Sequence, residues 1–459
     1  MITEKIIQNY IIRSSNKIKI NSNEVKKGDI FVALQGNNKH GNEYIESSIK
    51  NGAKFCLTDK KIKKNLVNEN ILFVKNIFSF LKALSLKKRS LFKGKVLGIT
   101  GSAGKTSLKE SLSFFLEKKY KTSKAFKSYN NDLGVLISLL NLNIKSEFAI
   151  FELGTNNHGE IKSLVQLVKP SQVFITNIQN THLENFKNKK NIAIEKSAIF
   201  NPIYNNNIKS IILLNTNKEE KLLVNLAKKF KIKNILTIGN SNKQNCYIKN
   251  ISKINDYYKV EAIINKKRFE FFMRTDISYR ITNILFCLSF FYLNKLDKKN
   301  ITNNTTKIKP FEGRGSVIDK NLFNLKIKFI DETYNANPDT MKQSIYYFNN
   351  MHLKGYKKIL ILGNMNELGE FKDKFHLKTL EYVEKFKFSF VILCGNLFFK
   401  ALKKIKKPSN KYVLLNNEKT IIRYLKNNLH KNSTIMAKCS NSTSVNKFAK
   451  LLLSMKGDK

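Results

Sequence analysis

The sequence predicts an α/β protein of three domains, residues 1–93, 94–312 and 313–459, the central one built on a mostly parallel sheet. Three observations carry this expectation. Short apolar runs alternate with helical stretches along the chain, the pattern of parallel sheets covered on both faces. A glycine loop, Thr100-Gly-Ser-Ala-Gly-Lys-Thr106, stands between one such run and a helix. The length, 459 residues, exceeds what a single hydrophobic core organises.

Taken in order, the first domain offers strands at 29–34 and 54–58, a turn at 35–38, and a helix over about 78–92 leading out of it. The central domain begins with a strand at 95–100, then the glycine loop, then a helix from about Thr106 to Lys119. Further strands are expected at 148–152, 172–176 and 210–214, antiparallel strands within 245–275, and a buried helix at 283–293. The third domain supplies strands at 327–331, 359–363, 390–394 and 433–437, separated by helices.

With 83 basic against 34 acidic residues the formal charge is +49, which raises the question of a nucleic-acid partner. The distribution argues against one. Only seven of the basic residues are arginine, the side chain best suited to bidentate reading of bases and phosphates, and lysine is spread throughout. A solvated lysine surface is the expectation. The five cysteines are far apart, have no zinc-ligand spacing and mostly sit in apolar runs, so buried free thiols in a reducing cytoplasm are expected. No apolar stretch approaches the roughly 18 residues that span a bilayer, and no transmembrane segment is expected.

The loop residues Gly101, Ser102, Ala103, Gly104, Lys105, Thr106 and Ser107 have the chemistry of a phosphate cradle. Small residues let phosphate approach the backbone N–H groups, the lysine adds charge, and the threonine hydroxyl suits magnesium. Ile99 stands where the strict motif has glycine, so the loop is a variant form. Ligands in open α/β sheets collect at the strands' carboxyl ends. Glu152 ends one strand, and Asn177 and His182 follow another, so they are candidates for metal or phosphate contact.

These residues, with Glu152-Leu-Gly154, Thr176-Asn-Ile-Gln-Asn-Thr-His182 and Gly313-Arg-Gly315, resemble the Mur ligase family, ATP-dependent amide-forming enzymes of peptidoglycan synthesis. Within that family, four stretches are similar to those of the last ligase. They are Asn130-Asn-Asp-Leu-Gly134, Asn156-Asn-His-Gly-Glu-Ile161, Asp331-Glu-Thr-Tyr-Asn-Ala-Asn-Pro-Asp339 and Leu362-Gly-Asn-Met-Asn-Glu-Leu-Gly-Glu370. The resemblance implies a three-domain architecture: a first domain for the UDP substrate, a central phosphate-loop ATPase domain, and a Rossmann-like C-terminal domain for the incoming dipeptide. It implies that D-alanyl-D-alanine is joined to UDP-N-acetylmuramoyl tripeptide by a cytoplasmic monomer using ATP and two Mg2+ ions.

By the same resemblance, Lys105 serves the terminal phosphates, Thr106, Glu152 and His182 hold metal, and Lys196 matches a lysine that many members carry as a carbamate. Asn283 reads adenine, Arg314 reaches the phosphates from the third domain, and Asp331, Tyr334 and Asn335 lie near the nucleotide. Ser22, Asn130, Asn131 and Asn156 are the implied substrate contacts. The chain departs from the family at Asn21-Ser22-Asn23, Tyr279-Arg280, Asn364 and Lys438-Cys-Ser-Asn441. Another Mur-type or folylpolyglutamate synthase-like ligase, and a non-catalytic nucleotide- or nucleic-acid-binding protein, are the alternative readings.

Overall fold

The computed structural model describes residues 3–13, 17–36, 39–62, 69–275, 280–309, 311, 313–351 and 355–455. Asn37 and Asn38 of the expected turn, and Tyr279 beside Arg280, lie outside the described residues. Among the described residues three sheets form, of four, nine and six strands.

The first sheet is parallel and runs in chain order, Ile18–Lys19, Ile30–Val32, Phe55–Thr58 and Ile71–Phe73. A helix, Ile77–Leu91, leads away from it, capped by Asn76 Oδ1, which accepts from Ser79 N at 2.8 Å. Leu81 and Leu84 of this helix share a core with Ile137 and Leu140 of the helix Asp132–Leu140, so the first sheet's layer is seated on the central one. At its end the buried Lys88 ammonium donates to Ile11 O (2.9 Å) and Leu140 O (2.6 Å), satisfying carbonyls in the last turns of two helices. Burial lowers the pKa of that ammonium to about 8.

The nine-stranded sheet is parallel from the edge strand Thr122–Lys124 through Phe148–Glu152, Lys95–Thr100, Gln172–Ile175, Ser210–Leu214 and Asn234–Gly239 to Cys246–Ile254. Two antiparallel strands, Tyr257–Ile264 and Lys267–Arg274, complete it. Cys246–Ile254 is therefore parallel to one neighbour and antiparallel to the other. Every residue of Phe148–Glu152 is buried, the consequence of helices on both faces. The helix Ile281–Leu293 covers one face, with Phe286 and Phe290 packed around Phe174.

In the six-stranded sheet the antiparallel pair Ser316–Leu322 and Leu325–Glu332 forms one edge. Ser433–Lys438, Lys357–Gly363, Phe390–Cys394 and Tyr412–Leu415 then run parallel. Asn337 starts the next helix, Pro338–Asn350, with a capping box and proline at its first position. The turn of Asn335 and Asn337 is thus a helix entry facing the central layer.

Candidate active site

The strands Lys95–Thr100, Phe148–Glu152 and Gln172–Ile175 are neighbours, so their carboxyl ends bring Gly101, Glu152 and Thr176 together. Gly101 has φ of +139° and Gly104 +81°, conformations that favour glycine, and Gly104 is the cap from which the helix Lys105–Leu116 starts. The following segment braces the loop. Asn177 Oδ1 accepts from Ala103 N (2.9 Å), Thr176 Oγ1 donates to Ala103 O (2.5 Å), and Ser102 Oγ accepts from Gln179 N (2.9 Å). Lys105 Nζ folds back on Gly101 O at 2.7 Å, and desolvation lowers its pKa against the opposing pull of Glu152.

Thr106 is the crossing point. Its hydroxyl lies 2.8 and 3.0 Å from the two oxygens of Glu152, 3.1 Å from Ser128 Oγ and 2.9 Å from Arg314 Nη2. Asn130 Nδ2 donates to Glu152 Oε1 at 3.0 Å. Arg314 arrives from the third layer, its guanidinium 4.0 Å over the Tyr334 ring and also 3.2 Å from Ser128 Oγ. A cleft of about 1530 Å³ opens here, lined by Ser102 through Ser107, Asn130, Glu152, Asn283, Arg314, Tyr334 and Asn335. That volume accommodates a nucleotide with a second ligand.

Other expected residues lie elsewhere. His182, left-handed at φ +51°, does not line the cleft; its Nδ1 is 2.6 Å from Glu367 Oε2 of the third layer. That close contact holds the Glu367 carboxyl below the usual range. Lys196 is 1% exposed and outside the cleft lining, and burial, with the charge of Lys105, pushes its pKa well down. Asp331 is turned inward, its Oδ1 accepting from Thr333 N (3.1 Å) and Thr333 Oγ1 (2.7 Å). Asn131 caps the helix Asp132–Leu140 by accepting from Gly134 N at 2.9 Å. Asn156 is exposed, and Ser22 is buried in the short turn Ser22–Glu24, which Asn21 caps.

Two residues without any signal in the sequence stand close by. Ser128 bridges Thr106 and Arg314, and Lys109 is wholly buried 4.0 Å from Glu152 Oε2. Loop serines and abundant lysines carry no spacing signal, so only the fold finds them.

Among the described residues no group of three or more His, Cys, Asp or Glu could hold a metal. Thr106 with Glu152 nonetheless offers a hydroxyl and a buried carboxylate beside the phosphate loop. That all-oxygen set fits a magnesium ion completing its shell with phosphate and water.

Family models describing the Mur ligase middle domain, the Mur ligase glutamate ligase domain and the Mur ligase family catalytic domain match residues 99–290, 313–441 and 15–85. A UDP-N-acetylmuramoyl-tripeptide–D-alanyl-D-alanine ligase of Rickettsia prowazekii is 34% identical over 371 residues, 80% of each chain. The fold matches a crystal structure of MurF from Acinetobacter baumannii with TM-score 0.78 at 22% identity, covering 96% of this chain and 93% of that one. It matches MurF ligase from Thermotoga maritima in complex with ADP with TM-score 0.75 at 23% identity, covering 95% and 97%. The three family models together cover most of the chain, and with the relative at 34% identity they show that this chain belongs to the Mur ligase family.

Proposed function

We propose that the protein joins D-alanyl-D-alanine to UDP-N-acetylmuramoyl tripeptide, consuming ATP and forming the pentapeptide precursor of peptidoglycan with ADP and phosphate. The carrying observation is the meeting of Thr106, Glu152 and Arg314 at one hydroxyl, because it brings the phosphate loop and the third domain to a single point. The name shared by relatives such as those of Rickettsia prowazekii and Bacillus subtilis supports the choice of substrates.

The chemistry proceeds in two steps. The tripeptide carboxylate attacks the γ-phosphorus of ATP, the bond to ADP breaks, and an acyl phosphate forms. The dipeptide amine then attacks the acyl carbon, loses a proton, and expels phosphate as the amide closes. Lys105 and the backbone N–H groups of 101–106 hold the terminal phosphates, and Arg314 meets the negative charge that spreads over the transferring group. Bound Mg2+ would neutralise phosphate charge, with Thr106 and Glu152 as its ligands; a second ion and the part of His182 in holding it belong to the same proposal. Asn283 and Tyr334 line the nucleotide end of the cleft, with Asn335 near them.

Lys196 suits carbamylation. Burial favours its neutral amine, which can add to CO2, forming a C–N bond and releasing a proton to leave an anion beside Lys105. Residues 1–93 take the uridine nucleotide, 94–312 the ATP and 313–459 the dipeptide, with Ser22, Asn130, Asn131 and Asn156 on the peptide-nucleotide side. On the same reading the chain works as a monomer. The five free cysteines, all buried, suit a reducing cytoplasm.

The test is phosphate release with ATP, the UDP-linked tripeptide and D-alanyl-D-alanine. Release should require both acceptor substrates, and Lys105→Ala should lower kcat by about 100-fold or more while the protein stays folded. Turnover independent of either substrate, or full activity in Lys105→Ala, would overturn the reading.

A further inference from the structure

The ligation proposed above uses Lys105 and Thr106, and the same helix carries a second buried lysine. Lys109, one turn beyond Lys105, has no exposed surface. Its ammonium donates to Ala125 O at 2.8 Å and to Lys127 O, and lies 3.2 Å from Glu110 Oε1 and 4.0 Å from Glu152 Oε2. Burying a lysine is costly unless its donors are matched, and an apolar residue would fill the space without that penalty. What the lysine does that an apolar residue cannot is hold two main-chain carbonyls of one turn.

That turn, residues 125–130, touches all three layers. Lys127 Nζ reaches Glu24 Oε1 of the first layer at 3.0 Å. Ser128 Oγ meets Thr106 of the phosphate loop and Arg314 of the third layer. Asn130 bonds Glu152 through its side chain and accepts from Gly154 N at 2.8 Å through its carbonyl. Lys127 takes φ +48°, a left-handed conformation that non-glycine residues adopt at a cost, so something must hold it. The ammonium of Lys109 grips the carbonyl of that same residue.

We propose that Lys109 is a positioning residue for the ligation: it pins the 125–130 turn so that Ser128 and Asn130 stand over Thr106 and Glu152, where the tripeptide carboxylate must approach the terminal phosphate. Lys109 itself touches no substrate. The assignment rests on the ligase reading for its kinetic consequence, but the pinning of the turn is independent of it. Without the ammonium the turn relaxes, and the peptide carboxylate loses its alignment. The loop backbone that cradles the nucleotide is unaffected.

Lys109→Met in the full chain tests this, because methionine fills similar space without a donor. Compared with the wild type, KM for the UDP-linked tripeptide should rise and kcat fall, each by about tenfold. Affinity for a non-hydrolysable ATP analogue, by calorimetry, should stay within about twofold. Amide hydrogen exchange across 125–131 should accelerate. If Lys109→Met does not accumulate folded, Lys109→Gln, shorter and with one amide left to donate, should show the same pattern more weakly. Unchanged kinetics per folded molecule with unchanged exchange in the turn would overturn the proposal; so would analogue affinity lost in step with turnover, which would place Lys109 on the nucleotide instead. A wild type that forms no peptide product would defeat the ligase reading alone, leaving exchange and analogue binding to decide the pin.

Discussion

His376 shows how much one residue's protonation state is fixed by its neighbours. Its Nε2 accepts from Met365 N at 3.0 Å, its Nδ1 lies 2.6 Å from Lys372 O, and its ring meets the Phe398 ring edge at 4.7 Å between centroids. Those partners demand a neutral ring with the proton on Nδ1. Burial lowers its pKa below 6.5, and the Lys372 carbonyl and Asp373 only partly oppose this. The unfolded chain therefore takes up a proton first as the medium acidifies. The stability His376 contributes is complete above pH 6.5 and is lost as pH falls through the folded value. Unfolding free energies of wild type and His376→Gln should converge below pH 6.5, at no more than about 1.4 kcal/mol per pH unit. A ring that titrates by NMR at or above 6.5 would contradict this. Nothing in the sequence singles out His376, because its role depends on a partner eleven residues back across a loop. Lys105 and Thr106 were legible because a phosphate loop needs those residue types at that spacing.

At the scale of elements, legibility followed burial. Phe148–Glu152, Phe390–Cys394 and Ser433–Lys438 are covered on both faces, so each is an unbroken buried run that sequence alone reveals. Thr122–Lys124 and Tyr412–Leu415 are half-exposed edge strands without such runs, and Ile18–Lys19 is only two residues long. The direction of Cys246–Ile254 was equally hidden, since periodicity does not encode whether a neighbour is parallel. The loop between the strand Lys95–Thr100 and its helix is the best-determined element, and Gly101 explains why. A Cβ there would lie 1.9 Å from Thr176 Oγ1 and 3.0 Å from Thr176 N, in a backbone already at φ +139°. Gly101→Ala should destabilise the protein by about 3 kcal/mol or more, combining overpacking with backbone strain. Calorimetry should detect no binding of the ATP analogue. Adding Thr176→Ala should restore part of the stability, read from denaturant melts, but not the binding; full recovery of both would show that φ at Gly101 carries no constraint.

For the whole molecule, the decisive segment is 176–182, because it faces two ways. One side braces the phosphate loop through Thr176, Asn177 and Gln179. The other is gripped by the third layer. Asp339 Oδ2 accepts from both Asn180 N (2.8 Å) and Asn180 Nδ2 (2.9 Å), Gln179 Oε1 accepts from Asn337 Nδ2 (3.3 Å), and His182 meets Glu367. Arg314 reaches Thr106 from the same layer that makes this grip. Docking of that layer and order in the phosphate loop are therefore linked, and linkage is reciprocal: nucleotide should favour the docked form as much as docking favours nucleotide. Asp339→Ala removes the acceptor that takes two hydrogen bonds at once. Its scattering radius in the presence of the ATP analogue should exceed that of the wild type, and kcat should fall about tenfold as the docked population drops. Because Arg314 acts only in the docked form, Arg314→Ala combined with Asp339→Ala should lose less activity than the product of the two single losses. Strict additivity, with ligand-induced compaction intact in Asp339→Ala, would mean that the third layer docks without its hold on Asn180.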